Sequence, residues 1–100
     1  MKVDQNSLEK VILKEVKKFV EENDIELDNE LTNVTRLIGP ESILDSIELV
    51  SFIVQLEEEL ELIYGSVVEL ANERAMSQRT SPFINVENLS KYIVILLANG

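Results

Sequence analysis

One hundred residues, 45% of them hydrophobic, are enough for a single domain that buries a core without staples or metal. The chain has no Cys and no His, which excludes His-dependent catalytic triads and His-containing zinc sites and leaves the redox compartment open. Its net charge of −10 argues against nucleic-acid binding, which needs a basic face, and points to basic partners.

The first predicted helix begins near Asn6 and Ser7, where Asn6 and Glu9 have the spacing of a capping box. Leu8, Val11, Ile12, Val16, Phe19 and Val20 then recur at helical intervals and form one apolar stripe. The polar face sets Glu9, Glu15, Glu21 and Glu22 against Lys10, Lys14, Lys17 and Lys18, which predicts an electrically balanced, solvated surface. This helix is expected to end at Asn23 and Asp24. From Ile25 to Leu44 the pattern loosens, with Asp28, Asn29, Asn33, Gly39 and Pro40 as punctuation and Leu27, Leu31, Val34, Leu37 and Ile38 as anchors onto a core. The stretch reads as a long ordered loop with a turn of helix around Leu31 to Val34.

The second helix is predicted from Ser46 to about Leu62, behind Asp45 as its N-cap. Ser46 then takes the first helical position, with its hydroxyl toward solvent at the positive end of the helix dipole. An anion attached there is favoured by roughly 0.3 to 1 kcal/mol. Ile47, Leu49, Val50, Phe52, Ile53, Val54, Leu56 and Leu60 make the apolar surface too wide for a one-sided helix, so contact on more than one side is expected. No basic residue lies between Arg36 and Arg74, while Glu41, Asp45, Glu48, Glu57, Glu58, Glu59, Glu61, Glu69 and Glu73 are acidic.

Tyr64, Gly65 and Ser66 break this helix, and Val67, Val68 and Leu70 predict a short extended connection. Asn72 caps a brief third helix, Glu73 to about Ser77, and Pro82 stops the loop from Gln78 to Ile84. Asn85 caps the last helix, in which Leu89, Tyr92, Ile93, Leu96 and Leu97 repeat at the helical interval. The expected fold is an all-α bundle of three main helices plus one short helix, residues 1–100 forming one domain. The first six residues lack the order of a signal peptide, and the longest apolar run, Tyr92 to Ala98, falls far short of the about 20 residues a membrane span needs. A cytoplasmic monomer without a membrane span is expected.

The long first loop, the Asp45-Ser46-Ile47 motif at the head of the second helix, the Glu57-Glu58-Glu59 run near its end and the short third helix together resemble an acyl carrier protein. The segment from Asn72 to Ile93 resembles the end of a stand-alone subgroup of these carriers. The resemblance implies an acyl-carrier-like bundle in which Ser46 carries a 4′-phosphopantetheine arm, flanked by its motif neighbours Asp45 and Ile47. The arm's thiol would supply the nucleophile that a chain without Cys lacks. It also implies a protein that is no enzyme and presents acyl or aminoacyl thioesters to others. Its implied partners are a phosphopantetheinyl transferase and the loading and transferring enzymes, whose basic patches would dock on the acidic second helix through Glu48, Glu57, Glu58 and Glu59. Two departures suggest a specialised carrier serving a dedicated pathway. Ile43 and Ser42 stand where the family often has a glycine, and Ser51 stands where an acidic residue is frequent.

Two other classes compete with the carrier. One is a carrier-like acidic interaction module with Ser46 unmodified. The other is an enzyme, but Ser46 has no His to act as base and no Lys lies between Lys18 and Lys91. The Glu57 to Glu59 run lacks the oxygen-rich loop spacing of a calcium site, so screening cations rather than a bound metal are expected there.

Overall fold

Helix α1 (Gln5–Glu22) starts earlier than its sequence pattern suggests, because Asp4 and not Asn6 is its N-cap. Asp4 accepts from the Ser7 N–H at 2.8 Å and from the Ser7 hydroxyl at 3.1 Å. Asn6 lies inside the helix, and Glu9 accepts instead from the Gln5 side chain at 3.3 Å. The far end is a Schellman turn with Asp24 in the left-handed position at φ 52°. There the Ile25 N–H donates to the Val20 carbonyl at 3.0 Å and the Asp24 N–H to that of Glu21 at 3.5 Å. Asn23 and Asp24 therefore end the helix as their sequence predicts.

The computed structural model describes residues 4–27, 30–38, 42–70 and 83–99, with the backbone alone at Ser46 and Asn99. Two further helices are present, α2 (Ser46–Tyr64) and α3 (Val86–Asn99), and among the described residues there is no strand. Helix α2 runs past the expected Leu62 to Tyr64 and stops at Gly65, whose N–H donates to the Glu61 carbonyl at 2.8 Å. Gly65 sits at φ 70°, and a Cβ added there would meet nothing within 4 Å, so its backbone conformation and not lack of space requires glycine. Asn85 caps α3 as expected, accepting from the Asn88 N–H at 2.7 Å. The predicted helix from Glu73 to Ser77 lies outside the described residues.

Helix α1 packs against both α2 and α3. It runs antiparallel to α2: Phe19 meets Phe52 edge-on at 5.8 Å, while Glu15, one turn earlier, meets Gln55, one turn later. Leu8, Ile12, Val16, Phe19 and Val20 of α1, Phe52, Ile53, Leu56 and Leu60 of α2, and Val86, Leu89, Tyr92 and Ile93 of α3 are buried in one core. The radius of gyration, 12.7 Å, matches the roughly 13 Å of a compact chain of this length.

Two expectations about helix faces are corrected. Glu15 is not on the solvated side of α1; it is 3% exposed, and its carboxylate and carbonyl accept from the Gln55 amide at 3.3 and 3.4 Å. Helix α2 is contacted over a wide arc, by Glu15 of α1 at Gln55 and by Leu70 at Glu57, but three of the apolar residues expected to take part are left out of it: Ile47, Val50 and Val54 are 80%, 59% and 49% exposed. Their spacing puts them on the side of α2 away from Phe52, Leu56 and Leu60, so the excess of apolar residues is displayed rather than buried.

Among the described residues between α1 and α2 there is no helix, and the expected helical turn near Leu31 is a hydrogen-bonded turn from Thr32 to Thr35. The Thr35 hydroxyl accepts from the Thr32 N–H at 2.8 Å, and the Thr32 hydroxyl from the Val34 N–H at 3.2 Å. This turn is fastened to the start of α3. The Asn33 carbonyl accepts from the Glu87 N–H at 2.8 Å, the Leu37 N–H donates to the Ile84 carbonyl at 3.3 Å, and Arg36 pairs with Asn85 in an isolated antiparallel bridge.

Candidate functional site

The start of α2 is set by the segment before it. The Ile43 N–H donates to the Arg36 carbonyl at 3.2 Å, and the Ser42 hydroxyl to the Leu44 carbonyl at 2.7 Å. Leu44 is then buried one residue ahead of the cap and stands to the half-buried Leu49 as the two ends of a hydrophobic staple. These contacts connect the first turn of α2, through Arg36 and Leu37, to the first turn of α3.

Asp45 is the N-cap, as its sequence predicts, and it is half of a closed capping box. Its Oδ1 accepts from the Glu48 N–H at 2.7 Å, and its own N–H donates to the Glu48 carboxylate at 2.9 Å. Glu48, a docking candidate by its sequence, spends its carboxylate on closing the cap. The Asp-x-x-Glu spacing carries this signal, the same spacing that misleads at Asn6 and Glu9.

Ser46 is the first residue of α2, where the sequence puts it; the direction of its hydroxyl lies outside the described residues. Of the four N–H groups that a helix leaves without an intrahelical partner, the box satisfies those of Asp45 and Glu48. The N–H groups of Ser46 and Ile47 have no acceptor among the described residues. An anion attached at Ser46 would find two backbone donors and the positive end of a 19-residue helix. The motif neighbour Ile47 is the most exposed apolar residue of this turn, at 80%.

The acidic run farther along α2 divides by role. The Glu57 carboxylate accepts from the Leu70 N–H at 2.7 Å and so fastens the connection after α2, with Val68 and Leu70 buried beneath it. Glu58 is exposed and Glu59 half-buried. Glu61, which is not among the docking residues expected from the sequence, is exposed on the same side as Glu58. The outward face of α2 therefore reads Ile47, Val50, Val54, then Glu58 and Glu61 with Leu62, 80% exposed, at its flank. Sequence reasoning misses its apolar half by assigning those residues to packing, although their i, i+3, i+7 spacing sets them apart from the buried set.

Two ionisable groups near the α1 and α2 ends are shifted. Hydrogen bonds from the Ser7 N–H, then from its hydroxyl, hold the Asp4 carboxyl below its ordinary 3.8. Burial, and then the Asp4 charge, push the Tyr64 hydroxyl above its ordinary 10.0. Among the described residues no group of three acidic side chains is placed to hold a metal ion, and no helix is long and apolar enough to cross a membrane.

No protein family matches the chain, and no curated protein or solved structure is significantly similar to it. The likeness to acyl carriers rests on the residues quoted above.

Proposed function

We propose that the chain is a carrier of acyl or aminoacyl groups, held as thioesters on a 4′-phosphopantetheine arm at Ser46. The observation that carries this reading is the closed Asp45–Glu48 capping box, whose two reciprocal bonds start α2 with Ser46 as its first residue. The residues present fit the arm's phosphate: the Ser46 and Ile47 N–H groups would receive it, and the helix dipole would favour its charge. When bound, the arm supplies a thiol to a chain that has no Cys. This chain's own residues do the rest, Asp45 and Glu48 by holding the helix start and Leu44 by anchoring the segment that leads to it.

A phosphopantetheinyl transferase and the enzymes that load and unload the carrier would dock on the outward face of α2. Ile47, Val50 and Val54 offer apolar contact beside Ser46, and Glu58 and Glu61 offer charge to a basic patch. The departures at Ser42, Ile43 and Ser51 favour a specialised carrier with dedicated partners.

Incubation with coenzyme A and a broad-specificity transferase, followed by intact mass measurement, tests the assignment. The wild type should gain one phosphopantetheine, Ser46→Ala should gain none, and fragmentation should place the group on Ser46 rather than Ser42 or Ser51. A wild type that keeps its mass with several transferases would leave an acidic interaction module as the reading. Modification persisting in Ser46→Ala would move the site to another serine.

A further inference from the structure

Lys10, Lys14, Lys17 and Lys18 are all exposed on α1. At 100° per residue they fall on the side opposite the buried Leu8, Ile12, Val16 and Phe19. Glu15, which the sequence places among them, is turned inward to Gln55, and among the described residues none of the four lysines forms an ion pair. Glu21 and Glu22 follow only at the end of the helix, so the middle of α1 is a basic stripe on a chain of net charge −10.

Helix α2 presents the reverse. Its outward face carries Ile47, Val50 and Val54, then Glu58 and Glu61 with the exposed Leu62 at their flank, and no basic residue. The segment that complements it is a basic amphipathic helix, with apolar residues to cover the first half and Lys or Arg to meet the second. A strongly acidic molecule attracts such a segment from every direction, and attraction alone does not select a face. Selection requires a surface that repels it elsewhere.

We propose that the α1 lysine stripe is this repelling surface, and that it confines a basic amphipathic partner helix to α2. This rests on α2 being the docking face and is independent of any group on Ser46. Once the stripe is neutralised, α1 offers no positive charge to turn the partner away, and contact spreads across both helices.

The test is an amide-shift titration of the 15N-labelled chain with a synthetic helical peptide, leucines along one side and lysines and arginines along the other, at low salt. In the wild type the shifts should follow residues 46–64 and leave the exposed side of α1 unmoved. The variant with Lys10→Gln, Lys14→Gln, Lys17→Gln and Lys18→Gln should bind roughly threefold to tenfold tighter at low ionic strength and show shifts on α1 as well. High salt should remove both differences. Circular dichroism checks that the variant stays helical; if it does not, Lys10→Gln with Lys14→Gln should give the same changes at reduced size. A wild type that shifts α1 as much as α2, a wild type that does not bind, or a variant with an unaltered shift map overturns the assignment. No transferase enters this measurement, so its failure is separate from a failure to modify Ser46.

Discussion

Helices α1 and α2 both begin behind an aspartate, with a serine in the first turn, and the two serines have different places. In α1 the third helical residue is Ser7, which gives its N–H and its hydroxyl to Asp4. In α2 the third residue is Glu48, which completes the cap with Asp45, and Ser46 stands ahead of it at the first position. One serine gives both its donors to its cap, and the other cap is closed by the reciprocal bonds of Asp45 and Glu48. The outward faces differ as well: α1 is lined by lysines, and α2 leaves Ile47, Val50 and Val54 in solvent. Exposed apolar residues cost solubility and add nothing to the core, so of these two faces that of α2 is the better candidate for a docking surface.

The sharpest way to break this contrast is to compare the two sides of α2. Phe52 is fully buried and meets Phe19 edge-on, so Phe52→Ala should cost about 3 to 5 kcal/mol of stability by urea denaturation. Val54→Ala, on the outward side, should stay within about 0.5 kcal/mol of wild type. A large loss for Val54→Ala would show that the outward face is covered after all.

The boundary between the two helices gives the second test. The Glu15 carboxylate, nearly sealed from water, accepts from Gln55. Gln55→Ala removes that donor and should cost about 1 to 3 kcal/mol. Glu15→Gln puts an amide of the same shape in place of the carboxyl group, whose oxygen can still accept from Gln55, and it should cost less than Gln55→Ala. Replacing both residues by Leu should recover part of the Gln55→Ala loss, because neither polar group is then left alone. If Gln55→Ala is neutral in the same urea titration, the pair is not what closes this part of the interface.

Much of this is readable from the sequence, and the failures have a common cause. Apolar spacing identifies the core of α1 and α3, and Asp45, Asn85 and Gly65 mark three helix ends, because caps and turns act through neighbours in the chain. Glu15 and Gln55 each look like solvated surface when read on their own helices; only the antiparallel packing of α1 on α2, 40 residues apart in sequence, buries them together. Glu57 is similar, since its bond to Leu70 depends on the chain folding back after Gly65. At the candidate site the order is reversed. The motif points to Ser46 and Asp45 at once, but the exposure of Ile47, Val50 and Val54 cannot be separated from burial until the neighbours of α2 are known.

The smallest expected effects come from the two caps and sharpen the opening contrast. Asp45→Ala opens the capping box, stranding the Glu48 N–H and freeing the Glu48 side chain, and should cost on the order of 1 kcal/mol. Asp4→Ala should cost less, because Asp4 is exposed and its partner Ser7 regains water on both donors. The Asp4 contribution also carries a pH signature. Its carboxyl is held below the ordinary 3.8 by the Ser7 N–H and hydroxyl, so the folded state binds its proton less readily than the unfolded state. The stability it contributes is therefore fully present above about pH 3.8 and is lost as pH falls through the lower folded value. In thermal melts followed by circular dichroism, the gap between wild type and Asp4→Ala should be constant near neutrality and should narrow only at the acid end. Asp4→Asn, which still accepts from Ser7 but does not titrate, should hold its gap to Asp4→Ala across the same range. A gap between wild type and Asp4→Ala that stays constant down to the lowest measurable pH would mean that the Asp4 charge does not support the start of α1.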